Sequence, residues 1–211
     1  MAKETKVKAT ENTTNTGKNR AQRIDKGYID YKIWEAQIPV RYLKMIEEGK
    51  YEEGKIIDRI REYIKNLSES LKRYRNIYVY GIPGSGKSFS VSYLLYQVIT
   101  RTPLRGRYIN GIEIGYRLYT LESRWEQGNF IAKLVDIDLL VIDDIDKINY
   151  TDYKKELIYY LIEKREQKIK RTIYTANRGI KEISEVVGEY LARRIIGESM
   201  IVKSREEVIK R

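Results

Sequence analysis

The sequence contains no cysteine and no histidine among its 211 residues. These absences exclude disulfide frameworks, thiol nucleophiles, histidine general bases and the usual ligands of zinc and haem. Any catalysis must therefore use carboxylates, hydroxyls, amides, lysine or arginine. The metal that suits such groups is a hard ion such as Mg²⁺.

Long apolar runs are absent as well. No stretch approaches the roughly 20 residues of a membrane span, and the first 20 residues lack the apolar centre of a signal peptide. We therefore expect a soluble, cytoplasmic protein without membrane contact. At this length a single α/β domain is the default, and such a domain can bury roughly 70% of the surface that its unfolded chain exposes.

The charge is unbalanced, with 41 Lys and Arg against 30 Asp and Glu, and the formal net charge is +11. This excess favours a polyanionic partner, nucleic acid before a membrane surface. Residues 1–23 hold six basic and two acidic residues in a Thr- and Asn-rich background, which predicts a disordered basic arm. Alternatively, a cysteine-free composition rich in Lys, Glu, Ile and Tyr is also typical of adaptation to heat.

The remaining chain divides into an N-terminal helical segment, residues 24–75, and a core, residues 76–211. An apolar stripe in the first segment predicts one amphipathic helix that continues to about Arg73. The stripe comprises Ile56, Ile60, Ile64, Leu67 and Leu71.

Short apolar runs in the core alternate with helical spacing, which predicts a parallel sheet flanked by helices. The predicted strands lie at 76–80, 107–109, 139–142, 171–176 and 200–202. Thr151 or Asp152 can cap a helix between the third and fourth strands. The predicted apolar face of that helix carries Tyr153, Leu157, Tyr160 and Leu161.

A glycine-rich loop follows the first strand and precedes a helix, and residues 81–88 match the pattern G-x-x-x-x-G-K-[ST] in full. In that setting the backbone N–H groups and the helix N-terminus point at phosphates, Lys87 reaches the β- and γ-phosphates, and the Ser88 hydroxyl can bind Mg²⁺. We predict a nucleoside triphosphate site for ATP. Its binding residues are Gly81, Ile82, Pro83, Gly84, Ser85, Gly86, Lys87, Ser88 and Phe89.

Two adjacent carboxylates, Asp143 and Asp144, follow the most apolar run of the chain. A triphosphate site needs a second acid to hold the metal, at the tip of a neighbouring strand, and Asp143 meets this requirement together with Ser88. Asp144 can orient the attacking water; alternatively, it only ends a strand or caps a helix. The remaining nearby carboxylates are interpreted as turn residues; they are Asp136, Asp138 and Asp146.

Four motifs occur in the order and spacing of AAA+ ATPases, and together they most closely resemble the DnaC/IstB branch of the DnaA-related clade. They are Ile38-Pro39-x-Arg41-Tyr42, GIPGSGKS at 81–88, LLVIDDI at 139–145 and TIYTANR at 172–178. The resemblance covers residues 38–202. It implies an AAA+ type parallel sheet in a P-loop NTPase fold, Mg²⁺-dependent ATP hydrolysis, and homo-oligomers with ATP sites between subunits.

The resemblance also suggests roles for polar residues outside the loop. Asn177 matches the sensor that touches the γ-phosphate or the attacking water; otherwise it is a polar residue that closes a strand. Arg194 aligns with the arginine finger presented to a neighbouring subunit's nucleotide, with Arg193 as an alternative. Ser204-Arg205 is similar to the family's Ser-Tyr-Arg ending but lacks the tyrosine, so Arg205 stays open as a second sensor.

Residues 111–134 stand where this clade carries a helical element that lines the pore and contacts single-stranded DNA. Their basic and aromatic side chains, Arg117, Arg124, Trp125 and Lys133, are the types that single strands bind, although Trp125 is equally suited to a core. The resemblance thus implies an ATPase that acts on DNA in replication initiation, helicase loading or a transposition-helper-like role. A helicase or another replication or recombination protein would be its partner.

Two other function classes are open at this point. A small P-loop kinase should have an Arg-rich lid and an acceptor pocket, and neither the tandem Asp143-Asp144 nor Asn177 is typical of it. An ATP-dependent DNA-binding or scaffold switch with negligible turnover would carry the same motifs as the ATPase. The sequence does not separate this switch from the ATPase.

Overall fold

The computed structural model describes residues 26–50 and 54–204. The predicted basic arm, residues 1–23, and Arg205 lie outside the described residues. The helices are α1 Lys26–Ala36, α2 Val40–Glu47, α3 Lys55–Lys65, α4 Leu67–Arg73, α5 Lys87–Arg101, α6 Gly111–Thr120, α7 Arg124–Asp136, α8 Asp152–Gln167, α9 Ile183–Val187 and α10 Glu189–Gly197. The strands are β1 Asn76–Tyr80, β2 Gly106–Asn110, β3 Leu139–Asp143, β4 Arg171–Ala176 and β5 Ser199–Lys203.

The five strands form one parallel sheet in the order β2-β3-β4-β1-β5. The predicted α/β fold with a parallel sheet flanked by helices is confirmed. One detail was wrong: β3, which ends at Asp143, is not a neighbour of β1, because β4 lies between them. The tips of β1, β4 and β3 therefore follow one another along the same edge of the sheet.

Side chains of the sheet alternate between two apolar layers. Ile77 and Val79 of β1 pack with helices α1 to α5 on one face. Tyr78, between them, packs with helices α6 to α10 on the other face. The N-terminal helices share the first layer with α5, so Ile56 and Leu94 belong to the same apolar cluster.

Two helices differ from the sequence prediction. The long helix predicted to reach Arg73 is divided at Asn66, which has φ −115° and ψ 45°. Asn competes for backbone hydrogen bonds and disfavours a helix interior. In α8 only part of the predicted face is buried: Leu161 is buried and Leu157 packs against the apolar layer, whereas Tyr153 and Tyr160 are 39% and 48% exposed. The buried face is rotated towards the sheet, and it carries Lys154, Ile158, Leu161, Ile162 and Arg165.

Arg165 is a buried cation that ties α8 to the ends of α7 and β4. Its Nη1 donates to the carbonyl oxygens of Leu134 at 2.6 Å and Ile137 at 2.8 Å. Its Nε donates to Thr172 Oγ1 at 2.9 Å, and its Nη2 donates to the carbonyl oxygen of Arg171. Burial lowers the pKa of Arg165 to about 10. The guanidinium thus satisfies carbonyl groups that a helix end leaves without intrahelical donors.

The described helices have 5 to 16 residues. The longest, α8, has 16 residues and is rich in Lys and Glu. Within residues 26–50 and 54–204, no helix combines the length and the apolarity that crossing a membrane requires.

Candidate nucleotide-binding site

The loop between β1 and α5 has the backbone geometry that phosphate binding requires. Gly84 and Gly86 have φ angles of 77° and 79°, in the left-handed region where a β-carbon is strained. Gly86 is the N-cap of α5, which has 15 residues. The first-turn N–H groups of such a helix lack intrahelical acceptors and carry partial positive charge. The loop and helix together therefore favour an anion.

Lys87 is the first residue of α5, and its side chain is buried at 5% exposure. Its Nζ donates to the carbonyl oxygens of Gly81 at 2.8 Å and Ile82 at 2.9 Å, and to Asn177 Oδ1 at 2.9 Å. Burial lowers the pKa of Lys87, and the negative charge of Asp144 opposes this shift. The lysine thus connects the glycine-rich loop to the tip of β4.

A cavity of about 340 Å³ lies over the loop. It is lined by residues from four separate parts of the sequence. These are Arg41, Tyr42 and Met45 of α2, Pro83, Gly84, Gly86, Lys87, Ser88 and Phe89 of the loop and α5, and Asp144 and Asn177 at the tips of β3 and β4. The structure therefore brings Lys87, Ser88, Asp144 and Asn177 together at one cavity.

Asp143 lies at the tip of β3, 3% exposed, and both of its carboxylate oxygens accept hydrogen bonds. Tyr108 donates its hydroxyl to Oδ2 at 2.5 Å, and Thr175 donates its hydroxyl to Oδ1 at 2.6 Å. Burial and the charge of Asp143 raise the pKa of the Tyr108 hydroxyl. These two donors fix the orientation of the Asp143 carboxylate and leave other lone pairs on its oxygens.

Asp144 follows in the left-handed conformation, with φ 53° and ψ 52°, and its N–H donates to Thr175 Oγ1 at 2.8 Å. Its half-buried carboxylate lines the cavity. Burial raises the pKa of this carboxyl, and the charges of Asp143 and Asp146 add to the effect. A carboxylate with a raised pKa is a better proton acceptor than an ordinary aspartate.

The donor set suits Mg²⁺ bound together with phosphates. Ser88 lines the cavity, and Asp143, which interacts electrostatically with Lys87, supplies a carboxylate at the tip of β3. In the described part of the chain, no three acidic side chains come together as a protein-only metal cage. Mg²⁺ characteristically uses one or two protein oxygens plus phosphate oxygens and water. The residues present therefore fit this ion.

The predicted arginine finger lies apart from the cavity. Arg194 of α10 donates from Nη1 to Glu166 Oε2, and its guanidinium lies 5.9 Å and 5.8 Å from the rings of Tyr159 and Tyr190. The Tyr190 hydroxyl and Glu166 raise the pKa of Arg194. Arg193, the alternative, is an exposed partner of Glu189. Neither arginine lines the cavity.

Sequence reasoning missed two features of the site. Arg41, Tyr42 and Met45 line the cavity, although residues 41 and 42 entered the argument only as part of a resemblance. Asp146 lies in a turn, as interpreted, but its contact was missed: its Oδ2 accepts a hydrogen bond from the Asn177 N–H at 3.1 Å. The available signal was the third aspartate in Asp143-Asp144-x-Asp146, close behind a strand end.

A second concave region, a groove of about 930 Å³, lies at the edge strand β2 beside α1, α6 and α7. Three of the four predicted DNA-contacting residues, Arg117, Trp125 and Lys133, line it with Arg105 and Arg107. The alternative that Trp125 is a core residue is wrong, since its side chain is 76% exposed. The acidic residues of the groove are Glu35, Glu126 and Asp136.

A parallel sheet with a phosphate-binding loop on one strand and an Asp-Asp pair two strands away defines an ATP-binding protein of the AAA+ type. The sequence profile of the family described as IstB-like ATP binding protein matches residues 20–208. The chain belongs to this family. No curated protein matches the sequence.

Solved structures of replication proteins share the fold. The DnaC helicase loader superposes with a TM-score of 0.63 at 20% identity, over 82% of this chain and 99% of that chain. AMPPCP-bound DnaA from Aquifex aeolicus gives 0.62 at 18%, over 74% of this chain and 48% of that chain. DnaI gives 0.61 at 12%, over 72% and 84%. The predicted DnaC/IstB branch of the AAA+ fold is confirmed.

Proposed function

We propose that this chain hydrolyses ATP with Mg²⁺ and acts on single-stranded DNA as a homo-oligomer. The observation that carries the ATPase proposal is the convergence of Lys87, Asp144 and Asn177 on one cavity. These three come from separate segments of the chain, and each supplies a different group: a cation, a carboxylate with a raised pKa and an amide. This set is what phosphoryl transfer to water requires.

Each side chain has a distinct role in the proposed reaction. Lys87 binds the β- and γ-phosphates, and Ser88 with Asp143 holds Mg²⁺, which neutralises phosphate charge when bound. Asp144 orients a water and accepts its proton while the water oxygen bonds to the γ-phosphorus and the bond to the β–γ bridging oxygen breaks. The bridging oxygen leaves with ADP. The Asn177 amide contacts the γ-phosphate or the attacking water.

The site needs positive charge opposite Lys87 for the charge that develops on the γ-phosphate. We assign this role to Arg194 of a neighbouring subunit, on the basis of the family resemblance. Two observations support this assignment: Arg194 lies away from its own cavity, and its contacts with Glu166 and Tyr190 hold it at the surface of α10. Arg41, which lines the cavity within the same chain, is the alternative source of charge.

The groove beside β2 supports the DNA part of the proposal. Four cations of the groove, Arg105, Arg107, Arg117 and Lys133, suit a phosphate backbone, and exposed Trp125 suits a base. Helix α6 next to it exposes further large side chains, namely Ile112, Tyr116 and Tyr119. Because structural relatives include a helicase loader and a replication initiator, we propose a role in loading or remodelling a replication or recombination machine.

The test is ATP turnover, measured with and without single-stranded DNA over a range of temperatures. We expect the wild type to hydrolyse ATP only with Mg²⁺ and faster with DNA. Lys87→Ala should lose ATP binding, and Asp144→Asn should bind ATP without turnover. Lys72→Ala, an exposed lysine paired with Glu69, is the matched control for the loss of one positive charge.

Two results would contradict the proposal in different ways. ATP binding by the wild type without turnover under any condition would favour the scaffold switch. Unchanged ATP affinity in folded Lys87→Ala would refute the site itself.

A further inference from the structure

The chain after β3 turns back towards the tip of β4. Asp144 is left-handed, and a 3-10 turn, Ile145–Lys147, follows it. This turn directs Asp146 to the residue that follows β4, where its Oδ2 accepts a hydrogen bond from the Asn177 N–H at 3.1 Å. Its Oδ1 is buried and has no hydrogen-bond partner in the described part of the chain.

Hydrogen bonds hold Asn177 at two points and the next residue, Arg178, at a third. Asp146 accepts from the backbone N–H of Asn177, and the side-chain Oδ1 of Asn177 accepts from Lys87 Nζ at 2.9 Å. The next carbonyl oxygen, of Arg178, accepts from the Tyr78 hydroxyl at 2.6 Å. Because the direction of a short side chain follows from its backbone, the Asp146 contact restricts where the Asn177 amide points.

The turn that carries Asp146 is itself fixed by α6. A β-carbon on Gly111 would lie 2.3 Å from the carbonyl oxygen of Asp144, so only glycine allows α6 to pack this closely. Ile148, which ends the turn and is 3% exposed, packs against Gly111 and Gly115. This packing restricts where the turn places the Asp146 carboxylate relative to Asn177.

We propose that Asp146 is a positioning residue, which orients Asn177 for its contact with the γ-phosphate or the attacking water. The proposal rests on the ATPase function proposed above. A purely stabilising role fits poorly, because an unpaired buried carboxylate oxygen costs folding free energy. The contact is a single hydrogen bond to a backbone N–H, so it needs an acceptor at this place and not a charge. The charge of Asp146 also contributes to the raised pKa of Asp144, and the Asn variant separates this effect from the contact.

The experiment compares three substitutions of Asp146 in the full chain. Asp146→Ala removes the acceptor, Asp146→Asn keeps an acceptor at the same place without charge, and Asp146→Glu keeps the charge but displaces it by one methylene. Asp152→Ala, whose side chain is fully exposed, is the control. The readouts are kcat and KM for ATP, the affinity for a fluorescent ATP analogue, and hydrogen exchange of the Asn177 backbone N–H.

We expect Asp146→Ala and Asp146→Glu to lower kcat by about 10- to 100-fold with KM nearly unchanged, as for a misplaced catalytic group. Asp146→Asn should keep most of the activity and the slow hydrogen exchange of the Asn177 backbone N–H. If Asp146→Ala does not fold, the contrast between Asn and Glu still decides between position and charge.

Three outcomes would overturn the proposal. The first is a wild-type kcat in folded Asp146→Ala. The second is an active Asp146→Glu variant together with an inactive Asp146→Asn variant. The third is an Asn177 backbone N–H that exchanges equally fast in the wild type and in Asp146→Ala. A wild type without turnover would instead refute the proposed ATPase, and the exchange measurement would then decide the contact alone.

Discussion

Replacing Arg165 by methionine should destabilise the fold more than any exposed arginine substitution. The change keeps an apolar stem but removes the donors to the four closest acceptors of Arg165, the carbonyl oxygens of Leu134, Ile137 and Arg171 and the Thr172 hydroxyl. At about 1.5 kcal/mol for each unpaired acceptor, the loss is about 6 kcal/mol.

Part of that loss is recovered, because methionine carries no charge to bury. Burial lowers the pKa of Arg165 to about 10, well below that of a free guanidinium, which corresponds to roughly 3 kcal/mol of penalty on the charged form. The expected net destabilisation is therefore about 3 kcal/mol. For a domain of this size it should lower Tm by roughly 6–12 °C.

Urea denaturation followed by tryptophan fluorescence and circular dichroism measures the free energy of unfolding. Arg193→Met is the matched control, because this arginine has a 76% exposed side chain and a single ion pair with Glu189. It should change stability by less than about 0.5 kcal/mol. A loss below about 1 kcal/mol in Arg165→Met would refute the reasoning, since the cost of burying the cation would then equal the value of its hydrogen bonds.

Three further predictions concern the site and the surface. Asp143→Asn should weaken Mg²⁺ dependence and cost about 1–3 kcal/mol of stability, because an NH₂ donor replaces one of the two oxygens that accept from Tyr108 and Thr175. Asp144→Asn should instead keep Mg²⁺ affinity and stop turnover, and equal metal defects of the two variants in ATP titrations would show that the roles are wrongly divided. Arg194→Ala should bind ATP without hydrolysis, and mixing it with Asp144→Asn should restore some turnover, because a mixed interface can pair an intact Asp144 with an intact Arg194. Mixtures that assemble but stay inactive would argue against an arginine finger that acts between subunits. The affinity for single-stranded DNA should fall steeply as salt rises, and deletion of residues 1–23 should reduce that salt slope. Trp125→Ala should weaken binding by about 1–3 kcal/mol, measured by fluorescence anisotropy. No DNA binding at low salt would leave heat adaptation as the explanation of the charge.

Local patterns were enough to predict most of the phosphate site. The glycine-rich loop, the strand before it and the helix after it are adjacent in sequence, so the motif at 81–88 predicts its own geometry. Asp143 and Asn177 could be placed as well, because each follows an apolar run, and the ends of parallel strands meet at one edge of a sheet. The left-handed φ angles of Gly84 and Gly86 agree with the residue type at both positions.

Helix faces were predicted less well, because the sequence does not show which side of a helix meets the sheet. The tyrosines of α8 count as apolar in a periodic pattern, but their hydroxyls reach solvent or polar neighbours, as Tyr153 does when it donates to Gln127 Oε1 at 2.7 Å. Arg165 counts as a charged surface residue by type. It is buried, because backbone carbonyls of α7 and β4 converge on it.

The sequence by itself determined that the chain folds as an α/β protein with a phosphate-binding loop and carboxylates at strand ends, because these features depend on residues close together in the chain. Only the tertiary structure decided the strand order and the presence of Arg41, Tyr42 and Met45 at the cavity. It also decided the contact of Asp146 with Asn177, 31 residues further along. Such contacts depend on how distant segments pack, and hydrophobic periodicity specifies a buried face without specifying its partner.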